Sequence, residues 1–218
     1  MSEQTALEVK THNAGVMGVY SGKRFDLFDV DESKIDIIDI AHALSLICRF
    51  GGHIRRHYSV AQHSLMVEHI VAYLWDDGTQ EYENQYADRL HALLHDASEG
   101  YMGDIPRPLK YTPSMELFRE TDNKLQMAIN RKFGIPEIEK THFIGIADEI
   151  ALAVEGENYL LSRPSWTNEI KNKNARTREL FDVGNLFRTS IENLSHLEVQ
   201  NKFLEKFYFL NSKPYFTK

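Results

Sequence analysis

The sequence predicts an all-α protein, a compact bundle of about six or more helices with a small β-hairpin or flap near the N-terminus. Apolar residues recur every three or four positions in most segments, which is the period of amphipathic helices. Short β-prone runs occur at residues 17–30, around the turn-forming stretch Ser21 to Arg24. The length of 218 residues, with 42% hydrophobic and 26% charged residues, suits one globular domain.

The first three helices are predicted from apolar spacing together with end signals, which are a serine N-cap and a glycine pair. A polar loop separates the second helix from the third. The predicted spans are residues 37–48, followed by Gly51-Gly52; residues 59–75, with Ser59 as the cap; and, after a loop at residues 76–83, residues 86–100.

A proline-rich stretch then interrupts the helical pattern. Residues 104–109 hold two prolines, and we expect an ordered loop there because proline disfavours a helix interior. Thr112-Pro113 begins a long helix that ends before Gly134. The remaining predictions are a connector from Pro136, a helix over residues 143–154, and one or two helices from residue 185 to the end, in a single domain with its motifs at about 17–160 and a C-terminal helical extension at about 161–218.

Charge and composition argue against several classes of protein. The 25 basic and 32 acidic residues give a net charge of −7, which disfavours a non-specific nucleic-acid binder. The N-terminus lacks the apolar run of a signal peptide, and the most apolar stretch, residues 35–48, is broken by polar residues. The lone Cys48 cannot form an intramolecular disulfide. We expect a cytoplasmic protein that has neither a membrane nor a nucleic acid as its partner.

Four polar residues stand in apolar surroundings and suggest a metal site. His63 lies inside the second helix, where its imidazole needs either a hydrogen-bond partner in the core or a metal ion. His95 and Asp96 are adjacent and are costly to bury without a cation. Asp148, flanked by apolar residues, can complete a site of two histidines and two aspartates. This donor set suits zinc, cobalt, manganese or iron.

The expected chemistry is hydrolytic. An ion with an open coordination position polarises a phosphoryl oxygen and lowers the pKa of bound water. Glu99, four residues after His95, can accept the proton of that water, and the alternative is an exposed carboxylate at a helix end.

Three motifs resemble the H…HD…D signature of the HD-domain metal-dependent phosphohydrolases: YSVAQHS, HDASE and ADE, which contain His63, His95-Asp96 and Asp148. The chain is most similar to the 5′-deoxynucleotidase branch and to its phage and prophage members, which include phage dATP triphosphohydrolases. The resemblance covers about residues 17–160. It implies that these four residues bind a divalent transition metal (zinc, cobalt or manganese), with additional magnesium when the substrate is a triphosphate. If a phage encodes the protein, its location is the host cytoplasm.

The resemblance also implies roles for further residues. Glu99 matches the catalytic acid of the family, and Asp104 matches a second acid of the same pocket, although it can also cap the proline loop. Lys110 is a phosphate contact or a solvated lysine. Arg49 matches an arginine that binds phosphate, and Phe50 stands where the bacterial enzymes carry a tryptophan near the sugar or base.

The predicted substrate is a small deoxynucleotide. We first expect a dATP-type triphosphohydrolase that releases deoxynucleoside and triphosphate. This expectation rests on Arg55 and Arg56, which can bind a phosphate tail; the alternative is that both are solvated. The alternative is a 5′-deoxynucleotidase that acts on monophosphates, and a more distant one is a non-catalytic nucleotide-binding HD module. The resemblance further implies a homo-oligomer, and the aromatic residues between Phe203 and Phe216 can cover either a subunit interface or the core.

Overall fold

The computed structural model describes residues 15–76, 85–135 and 142–213. Its N-terminal hairpin pairs β1 (Val16–Gly18) with β2 (Arg24–Asp26) in antiparallel orientation. The backbone amide and the hydroxyl of Ser21 both donate to the buried carboxylate of Asp39, which anchors the turn of the hairpin to the first helix. The predicted hairpin is therefore confirmed, as is the mainly helical fold class.

The rest of the described chain is helical, with short connections. Short 3-10 helices cover Glu32–Lys34, Arg49–Gly52 and Pro113–Met115. The α-helices are α1 (Ile37–Leu46), α2 (Val60–Trp75), α3 (Gln85–Leu94), α4 (Glu99–Met102), α5 (Arg107–Lys110), α6 (Glu116–Lys132), α7 (His142–Tyr159), α8 (Ser165–Lys171), α9 (Ala175–Ile191) and α10 (His196–Asn211).

Helix α2 lies at the centre of the bundle. Ser59 begins it through a capping box with Gln62, as the sequence predicts for the cap. The helix contacts α1, α3, α7, α9 and α10, and almost all of its residues are buried. Two apolar clusters meet on it, one containing Leu65 and the other containing Ile70. Burial of such a side chain stabilises the fold by about 1.5–3 kcal/mol.

The third predicted helix is shorter than expected. It ends at Leu94 rather than near Gly100, and α4 begins separately at Glu99. The Nδ1 atom of His95 lies 2.8 Å from the carbonyl oxygen of Ala92, which would accept the amide of Asp96 if the helix continued. The side chain of His95 thus takes the place of a backbone donor, and the chain turns at this point.

Two other predictions need correction. The proline-rich stretch is not entirely a loop, because residues 107–110 form α5 with Pro106 at its N-cap and Pro108 in its first turn, where a missing amide proton costs little. The C-terminal region contains one helix more than expected at residues 165–171, and the next helix begins at Ala175 after a capping box from Asn174. The predicted connector at Pro136 lies outside the described residues.

The described part of the C-terminal aromatic segment serves the core in part. Phe203 and Phe207 are buried, whereas Tyr208 and Phe209 remain about half exposed. In the segments that the structure describes, every helix is too short or too polar to traverse a bilayer.

Candidate metal centre

Three elements bring the four predicted ligands together. His63 comes from the buried first half of α2, and Asp148 comes from α7, which packs along α2. His95 and Asp96 lie in the turn between α3 and α4. In this turn Oδ2 of Asp96 lies near the Nε2 atoms of both His63 and His95.

The distances between donor atoms match a single-ion site. The Nε2 atom of His63 lies 3.2 Å from Oδ1 of Asp148 and 3.7 Å from Oδ2 of Asp96. The Nε2 atom of His95 lies 3.1 Å from the same oxygen of Asp96 and 4.0 Å from that of Asp148. Ligand atoms around one ion, each bound at about 2.0–2.2 Å, are separated by roughly 3–4 Å. The ligand atoms of His63, His95 and Asp96 all lie within 4.8 Å of one another, so these three side chains can hold one divalent cation, and Asp148 lies beside both imidazoles.

The hydrogen bonds of the two imidazoles fix their orientation. The Nδ1 atom of His63 lies 2.7 Å from Oε1 of Glu155, and that of His95 bonds the carbonyl oxygen of Ala92. Both Nδ1 atoms therefore act as donors, and the Nε2 atoms face the carboxylates of Asp96 and Asp148. Both Nε2 atoms are buried and make no hydrogen bond. This is the arrangement of metal-ligating histidines, whose second ring nitrogen is held by an acceptor.

The site is closed behind the histidines and open at the carboxylates. The side chains of His63 and His95 are fully buried, whereas those of Asp96 and Asp148 are 20% and 22% exposed. An ion bound here is accessible to water and substrate on one side only, which is a property of catalytic rather than purely structural sites.

The acidic surroundings favour positive charge on His63. Burial and the nearby Arg49 lower the pKa of His63, but the carboxylates of Glu155 and Asp148 outweigh them and raise it to about 9. Burial raises the pKa of Asp148, yet His63 and His95 overcome this effect and hold that pKa below its ordinary value. A divalent cation in the same space would take the place of the proton on His63.

Glu99 and Asp104 add two more acids beside the cluster. Glu99 is buried, and its Oε2 atom makes no hydrogen bond. Burial, reinforced by the charges of Asp96 and Asp104, raises the pKa of Glu99 well above its usual range. Burial also raises the pKa of Asp104, against the opposing charge of Arg49. A carboxyl group with a raised pKa is suited to proton transfer near neutral pH.

Arg49 and Phe50 lie at the edge of the cluster. The guanidinium of Arg49 donates to Glu155, and its Nη1 atom lies 3.9 Å from Oδ2 of Asp96. Phe50 follows in a tight turn with a φ of 56°, which is a strained conformation for a residue with a side chain. The turn packs close to Pro106, since a Cβ atom on Gly51 would lie 3.6 Å from its ring. Cys48, just before this turn, is extended and pairs with Ser59 in an isolated β-bridge, and Arg49 is buried.

The three other predicted substrate residues lie in different surroundings. The Nζ atom of Lys110 lies 2.7 Å from the carboxylate of Asp122, and its charge also acts on Glu99. Arg56 donates to the carbonyl oxygen of Glu192 at the end of α9 and to the side chain of Asn193. Arg55 is exposed, and its amide bonds the last residue of α7. The structure thus brings Lys110 toward the acids and holds Arg56 against α9.

Two residues at the site were missed by the sequence analysis. Glu155 follows Asp148 by seven residues, which is two helical turns, so both lie on the same face of α7. That spacing is a signal that could have identified it. Arg107 is exposed, with its Nη2 atom 3.8 Å from Oδ2 of Asp148. No spacing rule points to Arg107, because α5 meets α7 only in the folded chain.

The chain is similar in sequence to two known proteins. No protein-family model matches it. It is 38% identical over 136 residues to the uncharacterized protein YfdR of Escherichia coli K12, covering 62% of this chain and 67% of that protein. It is 37% identical over 142 residues to the uncharacterized protein RCAP_rcc00048 of Rhodobacter capsulatus, covering 63% of this chain and 69% of that protein. The chain therefore belongs to the same family as these two proteins.

Proposed function

We propose that the protein is a metal-dependent phosphohydrolase of 2′-deoxynucleotides. The observation that carries this proposal is the pair of buried imidazoles whose Nε2 atoms make no hydrogen bond and face two partly exposed carboxylates. His63, His95, Asp96 and Asp148 would hold the metal. When bound, a divalent ion supplies Lewis-acid polarisation of a phosphoryl oxygen and acidifies water.

The acids beside the ligands provide the proton transfer. Glu99 accepts the proton of the attacking water, because its buried carboxylate lies beside the predicted ligands and its Oε2 atom makes no hydrogen bond. Asp104 keeps negative charge close to Glu99 and thereby supports the raised pKa of Glu99.

Basic residues at the edge of the site bind the phosphate. Arg49 faces Asp96 through one arm of its guanidinium, while Lys110 exerts its charge on both Glu99 and Asp96. An arginine fork suits the oxygens of a phosphate group, and a lysine adds a point charge. Phe50, beside the Arg49 guanidinium at 5.6 Å, offers an apolar surface for the sugar or the base.

Both a triphosphate and a monophosphate can undergo attack at the α-phosphorus, so the length of the phosphate tail is a separate question. The sequence favours a triphosphate through Arg55 and Arg56. The hydrogen bonds of Arg56 to α9 instead support the 5′-deoxynucleotidase alternative, because they occupy one of these two cations. We therefore propose the two activities as competing candidates for the same site.

Product analysis tests the proposal. Protein reconstituted with cobalt, manganese or zinc is incubated with dATP, dAMP and the other deoxynucleotides, and the products are separated by ion exchange. Deoxynucleoside with intact triphosphate supports the triphosphohydrolase, and turnover of monophosphates alone supports the nucleotidase. Glu68→Gln, which replaces a buried acid away from the ligands, is the control for loss of a buried charge: it should lower stability but retain activity. Absence of any metal-dependent product contradicts the proposal, and nucleotide binding without turnover would favour a non-catalytic module.

A further inference from the structure

Glu155 lies between His63, a predicted metal ligand, and Arg49, a predicted phosphate-binding residue. Its side chain is fully buried on α7. The Oε1 atom accepts a hydrogen bond from Nδ1 of His63 at 2.7 Å. The Oε2 atom accepts from Nε and Nη2 of Arg49 at 3.2 and 3.0 Å. Each oxygen of this carboxylate thus serves a different functional residue.

A buried carboxylate is tolerated only when its hydrogen bonds and charge are matched. Both partners of Glu155 are buried donors, and Arg49 carries a permanent positive charge. A glutamine has one acceptor oxygen, so it can serve only one of these donors, and it removes the carboxylate closest to the Arg49 guanidinium. An aspartate keeps the charge but is one methylene shorter, so it cannot reach both partners.

We propose that Glu155 is a positioning residue that couples the metal site to the phosphate contact. It orients His63 so that Nε2 faces Asp96 and Asp148, and it holds Arg49 so that Nη1 faces Asp96. This inference rests on the proposed function, since it assumes that His63 binds a metal and that Arg49 binds an anion. It adds that the affinities for metal and for phosphate both depend on one side chain that contacts neither the metal nor the phosphate.

This coupling has a signature that distinguishes it from a loss of stability. Loss of Glu155 should lower metal affinity through His63 and phosphate affinity through Arg49. Arg49→Met removes the guanidinium but keeps the hydrogen bond between His63 and Glu155, so it should lower phosphate affinity far more than metal affinity. The two variants therefore differ in one measured quantity, the affinity for metal.

The test uses the full chain after treatment with a chelator. Cobalt(II) is titrated and its visible absorption followed, and the cobalt-loaded protein is then titrated with inorganic phosphate. For Glu155→Gln we expect cobalt affinity to fall about 10- to 100-fold, the usual cost of losing a partner of a ligating histidine. Phosphate affinity should fall in both Glu155→Gln and Arg49→Met.

Glu68→Gln is the matched control. Glu68 is equally buried and pairs with Arg89 and Lys206, away from the predicted ligands. Its substitution should lower stability without changing cobalt affinity. If Glu155→Gln does not fold, Glu155→Asp takes its place, with an expected loss of cobalt affinity of about threefold or more.

The outcomes separate the inference from the proposed function. Wild-type cobalt affinity in the folded Glu155→Gln variant, or in Glu155→Asp if that variant replaces it, overturns the role of Glu155 alone. A wild-type chain that binds no cobalt overturns both the metal site and the role of Glu155. A wild-type chain that binds cobalt but hydrolyses no deoxynucleotide contradicts the reaction only, and loss of cobalt affinity in the Glu155 variants still supports the coupling.

Discussion

Two clusters of buried charge lie on different faces of the central helix α2, and they differ in how their charges are matched. Around Glu68, one carboxylate meets two cations: Oε1 lies 2.8 and 2.7 Å from the guanidinium of Arg89, and Oε2 lies 3.0 Å from Nζ of Lys206. These contacts tie α2 to α3 and α10. The charge of Glu68 is therefore matched by two cations of the protein itself, although its Oε2 atom makes no hydrogen bond.

The cluster around His63 is acidic and incompletely bonded. Arg49 pairs with Glu155 and lies 3.9 Å from Asp96, the exposed Arg107 lies 3.8 Å from Asp148, and the two imidazole Nε2 atoms make no hydrogen bond. The comparison teaches that burial of charge does not by itself indicate function. The donor set that fits a divalent cation is the one in which carboxylates outnumber cations and the Nε2 atoms of two imidazoles face them.

The largest expected effect is the loss of activity when a ligand is removed. Asp96→Ala removes the oxygen that lies close to both imidazoles, so we expect hydrolysis of deoxynucleotides to fall to background. The measurement is product release by the metal-reconstituted variant beside Glu68→Gln. Unchanged turnover in Asp96→Ala would show that this cluster is not the catalytic site.

Replacing Glu99 should separate catalysis from metal binding. Glu99→Gln keeps the volume of the side chain but cannot accept a proton, so we expect kcat to fall about 10²- to 10⁴-fold. Cobalt affinity should stay close to the wild-type value, because Glu99 is not one of the proposed ligands. A variant that loses cobalt affinity as well would place Glu99 among the ligands instead.

The cluster around Glu68 should show the opposite pattern, a loss of stability without a loss of metal binding. Glu68→Gln removes the buried negative charge that Arg89 and Lys206 share, which typically costs about 3 kcal/mol in the free energy of unfolding. Urea denaturation of the metal-free protein measures this loss, and cobalt titration should show no change. If stability is unaffected, the Glu68 cluster is not the structural tie that the comparison assumes.

Metal binding should depend on pH through His63. In the metal-free protein His63 has a pKa of about 9, so it carries a proton at neutral pH and must release it to bind a metal. Because the proton competes with the metal, affinity should rise about tenfold per pH unit from neutral pH and level off near the pKa. Calorimetry in two buffers of different ionisation enthalpy should detect one released proton. Binding that is independent of pH in this range would contradict the protonated state.

The smallest expected effect concerns the substrate surface. Phe50→Trp enlarges the ring beside Arg49 and should change the ratio of kcat/KM between purine and pyrimidine deoxynucleotides by about threefold to tenfold, with cobalt affinity preserved. An unchanged ratio would remove Phe50 from the substrate pocket.

Local signals explain why much of the fold could be predicted from the sequence. The Ser59 cap and the apolar period of α2 are properties of neighbouring residues, and the structure confirms both. The end of α3 could not be predicted, because it depends on a hydrogen bond from the side chain of His95 to the backbone. Polar sequence also hid the start of α9, where apolar spacing is weak and Asn174 provides the cap.

The candidate site likewise contains some residues that the sequence reveals and others that only the folded chain brings together. Polar residues on apolar helix faces, such as His63 and Asp148, are visible in the sequence because their burial needs an explanation. Glu155 escaped notice because its partner Arg49 is 106 residues away, and only the packing of α7 against the Arg49 turn joins them. The sequence leaves Arg56 either as a phosphate contact or as a solvated residue, because its hydrogen bonds to Glu192 and Asn193 appear only in the folded chain.

Cobalt(II) titration of the chelator-treated wild type, Asp96→Ala and Glu68→Gln, side by side, tests the central claim most directly. We predict that the wild type and Glu68→Gln each bind one equivalent with the absorption of a histidine-ligated ion, and that Asp96→Ala does not. A wild-type protein without a cobalt site, or equal binding in Asp96→Ala, would contradict the assignment of the acidic cluster as the metal centre.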